Sequence, residues 1–205
     1  MLISDRLLNE INSLKNRHES RTLEAWLLKT YEEFVRVKNY EELAYIVSEL
    51  AHFYELPATE NVVKAEHYYL ELESLMPGAE SKWRTAAFLY RFGKPQDVIK
   101  KVDEIDLGNA DRFCTYSALT LKGQACIALS AILDARRVLD QLIEMATTNP
   151  RGLPYGDEMN LMEAAVAVET LRPRCCELLG LVVPKIRDQE FRERGDELLK
   201  SCAVG

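Results

Sequence analysis

Positive charge is what this chain has too little of. Its 26 lysines and arginines face 33 aspartates and glutamates across 205 residues, a net charge of −7. Broad nucleic-acid binding rests on neutralising phosphates, so no nucleic-acid partner is expected. Long apolar runs are also missing. No stretch approaches the roughly 18 residues of a membrane-spanning helix, so no membrane partner is expected. The first residues, MLISDRLLNE, meet acid at Asp5 and lack the basic segment and apolar run of a signal peptide.

Cysteine is sparse and odd in number: Cys114, Cys126, Cys175, Cys176 and Cys202, with no C-x-x-C pair. The expectation is neither a disulfide framework nor a zinc site, and a reduced, cytoplasmic setting. The three histidines, His18, His52 and His67, share no ligand spacing, so no metal is expected. There is no G-x-S-x-G, no H-E-x-x-H and no P-loop, and the glycines are scattered. No cofactor and no catalysis are expected. Strand signals are poor, without sustained period-2 alternation or an Asn-Gly or Asp-Gly dipeptide.

What is present is helical periodicity in a chain that is 47% hydrophobic, enough for a full core. All seven prolines fall between periodic segments or at their first turn, where a helix tolerates them. The organising stretch is Leu119–Met145. Its second half carries Ala131, Ile132, Ala135, Val138, Leu139, Leu142 and Ile143 on one helical stripe, with charged residues opposite. A break near Ser130 makes it a helical hairpin, with Gly123 and Ala135 at the close approach. About eleven helices are expected: 4–16, 21–37, 39–56, 60–76, 81–92, 95–105, the two of the hairpin within 110–146, 157–171, 173–183 and 187–203. Asn39 and Glu42 form a loose capping box, and Thr147–Glu158 is the longest irregular stretch.

Small residues on the first helix of successive hairpins, Ala51, Ala87, Gly123 and Ala165, lie thirty-six, thirty-six and forty-two residues apart. Around them, Val47, Leu50 and Tyr54 lead to Ala65, Tyr69, Leu72 and Pro77. Trp83, Ala86 and Tyr90 lead to Gly93, Val98 and Val102, and Leu119 and Cys126 to Leu139 and Leu142. Leu161, Ala164 and Val168 make a degenerate fourth copy. On these residues the chain resembles the tetratricopeptide-repeat family, whose unit is about 34 residues. Lys122 departs from the pattern. A second phasing, pairing helix 21–37 with helix 39–56 through Lys38-Asn39-Tyr40, fits that stretch almost as well.

The resemblance implies an all-α, right-handed solenoid of stacked antiparallel hairpins, read as one domain over 1–205. It would comprise an N-terminal hairpin (1–38), the best-matching repeats (39–147), a degenerate repeat (157–186) and a capping helix (187–205). It also implies a concave groove lined by first helices, holding a protein or peptide partner. Groove positions are Tyr45, Ser48, His52 and Glu55; Arg84, Phe88 and Arg91; Thr120, Gln124 and Ile127; Met162, Val166 and Glu169. Arg84, Phe88 and Arg91 would frame an aromatic with two cations for a carboxylate-bearing or aromatic peptide. The Lys/Asn carboxylate clamp of chaperone-binding members has only Arg84 as a counterpart. Two other readings are a self-associating homodimer, and a small-ligand binder or enzyme with its site near 150–156.

Overall fold

The computed structural model describes residues 5–16, 20–148 and 157–203. Among them there is no strand. The helices are α1 (Asp5–Asn16), α2 (Ser20–Val37), α3 (Tyr40–Glu55), α4 (Val62–Leu75), α5 (Ala79–Arg91) and α6 (Pro95–Asp103). Then come α7 (Arg112–Ala128), α8 (Ile132–Thr148), α9 (Asp157–Val166), α10 (Arg172–Val182) and α11 (Gln189–Ala203), with a 3-10 turn at Val183–Lys185. Each helix falls where the periodicity places one. The 157–171 segment is the exception in length: it leaves the helix at Val166 and turns through Val168 N–H to Ala165 O and Leu171 N–H to Val168 O. Residues 149–156, and with them most of the expected loop and the candidate site near 150–156, lie outside the described residues. So does His18.

Three turns are built alike. At Lys38, Gly93 and Ser130 the backbone takes positive φ (56°, 69° and 57°). Each residue's N–H returns three residues, and the next N–H returns five: Asn39 to Phe34, Lys94 to Leu89, Ala131 to Cys126. This is the Schellman arrangement, which satisfies the last carbonyls of α2, α5 and α7 before the chain reverses. Helix starts are satisfied by side chains: Asn39, Asn61 and Asp111 accept from Glu42, Lys64 and Cys114 N–H. Asn39 Nδ2 also donates to Glu42 Oε2 at 2.8 Å, completing the capping box.

The contacts fall into two compact units, residues 1–88 and 89–205, with the division inside α5. In the first, α3 packs on both α2 and α4, and α1 packs on α2. Its core holds Ile46, Val47, Leu50, Ala51 and Tyr54 of α3, facing Ala65, Tyr68, Tyr69 and Leu72 of α4. In the second, α7 is central and touches α6, α8 and α9, while α10 touches α8, α9 and α11. That makes α7 buried nearly all round rather than along one stripe. Gly123 is required there. A Cβ would stand 2.9 Å from Leu161 of α9 and 3.2 Å from Val138 of α8, so both helices close on it. Lys122, the departure from the repeat pattern, pairs with Asp103 of α6.

The expectation of no disulfide fails. Cys176 and Cys202 are joined by a disulfide, with Cα atoms 5.8 Å apart. Chain spacing hid it, because the two are 26 residues apart in sequence and meet only where α10 and α11 pack.

Candidate functional site

The outer face of α3 carries Tyr45, Ser48, Glu49, His52 and Glu55 at helical steps, opposite the buried stripe of that helix. Tyr45 is half-buried, and burial followed by the neighbouring Glu49 carboxylate pushes its hydroxyl up to about 12. Glu49 also holds Lys15 of α1 at 2.6 Å. His52 is exposed, with Nδ1 3.8 Å from Glu55. Glu55 accepts from the Tyr69 hydroxyl at 2.6 Å, which fixes its position from α4. Arg84 of α5 reaches the same row, donating to Ser48 Oγ at 3.3 Å and to Glu80 at 2.8 and 3.2 Å. The row thus carries the polar groups of Tyr45, Ser48 and His52 beside the Glu49 and Glu55 carboxylates, with the Arg84 charge matched by Glu80. Such a row presents hydrogen-bond donors and acceptors along the helix and no unmatched arginine charge.

Beneath one end of this row lies a cavity of about 530 Å³. Leu23 and Leu27 of α2, Phe53 of α3, Leu56 just past its end, and Leu14 of α1 supply apolar walls, while Lys15, Glu49 and His52 stand at its edge. The Thr59 hydroxyl donates to Phe53 O and closes the turn below. Sequence reasoning found Tyr45, Ser48 and His52 but missed Lys15, Phe53 and Leu56. Leu56 was legible: a large apolar residue immediately before Pro57 that stays 39% exposed.

The remaining groove positions divide by burial. Phe88 is 0% exposed, with its ring centroid 5.0 Å from that of Tyr69, so it belongs to the core and not to a surface triplet. Arg84 and Arg91 are exposed on either side of it. The reason lies in two hydroxyls. Ser81 and Thr85 are buried with Phe88 on one stripe. Ser81 Oγ donates to Met76 O and Gly78 O, and Thr85 Oγ1 to Ser81 O, so burial leaves neither without a partner. Thr120, Gln124 and Met162 are also buried, at 0%, 4% and 0%. Ile127 and Val166 are half-buried, and Glu169 lies past the end of α9. What the structure brings together is thus the α3 row with Arg84 and the cavity, all in the first unit.

Among the described residues no group of three or more His, Cys, Asp or Glu could hold a metal ion, and no helix is long and apolar enough to cross a membrane. Compared with models of known families, with curated proteins and with solved structures, the chain matches none.

Proposed function

We propose that the chain is a non-catalytic interaction module of the tetratricopeptide-like kind, holding a segment of a partner protein on the outer face of α3. The observation that carries this reading is the polar row Tyr45, Ser48, His52 and Arg84 beside an open apolar cavity. One partner segment can place polar groups along the row and insert an apolar side chain into the cavity. Buried apolar anchors of this kind dominate interface energies, while the polar rim sets register. The helix contacts support the solenoid part of the reading. In the second unit α7 meets α9 and α8 meets α10, the neighbour relation of stacked hairpins.

The test is a binding measurement on a partner recovered by cross-linking. His52→Ala/Arg84→Ala should raise Kd by about tenfold or more, or roughly 1.4 kcal/mol. Arg136→Ala/Asp140→Ala on α8 should leave it unchanged. The opposite pattern, with both variants folded, rejects the α3 face. Light scattering of the pure chain separates this reading from self-association.

A second reading is favoured by the cavity alone. Its volume falls in the range of small-molecule sites, and its walls are mostly aliphatic. An apolar metabolite retained in native mass spectra, and lost on Leu23→Trp, would favour it over a protein partner.

A further inference from the structure

We propose that Cys176–Cys202 is a reversible thiol–disulfide site that locks α11 onto α10, so that the redox state of this bond decides whether the C-terminal helix stays docked. Three observations carry it.

The first is accessibility. Cys114, Cys126 and Cys175 are 2%, 1% and 0% exposed, whereas Cys176 and Cys202 are both half-buried. Burial pushes the thiols of Cys126 and Cys175 up, the latter to about 12, which keeps them protonated and poor at exchange. A reductant therefore meets one reactive pair and three inert thiols.

The second is how little else holds α11. Its only fully buried residue is Gly195, whose Cβ position lies 2.6 Å from Val183 Cγ2. Phe191, Leu198 and Leu199 are only partly buried against the core. Polar anchors are Arg194 to Glu163 and Asn160, and Arg192 to Ile186 O, all in the N-terminal half of the helix. By contrast α8 buries Ala135, Val138, Leu139, Leu142 and Ala146. Segments with few buried apolar contacts open first.

The third is position. Cys202 sits in the last turn of α11, beyond every polar anchor, so that end is held by the covalent bond and the partial packing of Leu198 and Leu199.

The chemistry balances with a dithiol reductant. One of its thiolates attacks a sulfur of the pair, giving a mixed disulfide, and its second thiol displaces the remaining protein thiolate. The protein gains two electrons and two protons, and the reductant closes to its own disulfide. Glutathione disulfide reverses the step. Reduced, α11 offers the apolar edge of Phe191, Leu198 and Leu199, and its bed around Val183 opens.

Hydrogen–deuterium exchange of the whole chain, with and without dithiothreitol, is the test. Reduction should speed exchange in 189–203 by at least tenfold while α7, α8 and residues 20–88 keep their rates, and glutathione disulfide should restore the slow state. Cys202→Ser should show fast α11 exchange without reductant and no further response to it. Unchanged α11 protection on reduction, equal loosening throughout α7–α10, or both thiols found free by peptide mapping of air-equilibrated protein would each overturn the proposal.

Discussion

The two units hold their helices by different means. In the first, tyrosines reach across helix boundaries to carboxylates: Tyr31 to Glu71, Tyr54 to Glu24 and Tyr69 to Glu55, at 2.6–2.8 Å. Tyr54 and Tyr68 stack between them, and Lys64 lies 4.5 Å from the centre of the Tyr54 ring. The second unit's core is leucine, isoleucine, valine, methionine, alanine and cysteine with, among the described residues, a single buried aromatic, Tyr116, and is fastened by a disulfide. Directional hydrogen bonds fix helix register but respond to protonation. Aliphatic packing ignores pH, and a cross-link responds to redox state instead. The two halves should therefore fail under different conditions.

The largest effect tests the first unit. Phe88→Ala should destabilise by about 3–5 kcal/mol, because a fully buried ring leaves a cavity against Tyr69. A surface-like loss in urea unfolding would mean that Phe88 faces solvent. Next, reducing Cys176–Cys202 should weaken the docking of α11 by roughly 3 kcal/mol, from the restored chain entropy of its closed loop, while α7 and α8 keep their stability. Fluorescence of Trp26 and Trp83, both in the first unit, should not report it.

Alkaline pH should break the symmetry the other way. Burial and facing carboxylates push Tyr31 and Tyr45 up to about 12, and Tyr54 and Tyr68 are raised as well. In the second unit burial raises the Tyr90 hydroxyl and the Cys126 and Cys175 thiols. The folded state favours the protonated hydroxyl, so this stabilisation is complete below the unfolded value near 10 and is lost as pH rises through the folded values toward 12. Exchange-detected melting should show the first unit opening first across that interval.

Smaller still, Ala135→Leu should overpack α8 and cost about 1–3 kcal/mol, against less than about 0.5 for exposed Gln141→Ala. The smallest effect has the opposite sign. Ser130 holds positive φ, so Ser130→Gly should stabilise by a few tenths to about 1 kcal/mol in thermal melts.

Helix positions were legible because proline, glycine and apolar period agree along the chain. Faces were less so. On α3 the apolar stripe is clean, and Tyr45, Ser48 and His52 emerge on the outside as expected. On α5 and α7 hydroxyls and an amide are buried, so polarity misreports the face: Thr120 and Gln124 were expected in the groove and are buried, as are Ser81 and Thr85 beside Phe88. Contacts between distant segments left no local mark. The disulfide spans two helices, and the cavity needs α1, α2 and α3 together.

Hydroxyl-radical footprinting of the chain with a cross-linked partner tests the proposed interface most directly. Protection should concentrate on 45–56 and around Arg84, with the exposed α8 face at Arg136 and Asp140 unchanged. Protection of that α8 face with 45–56 left fully reactive would contradict the account.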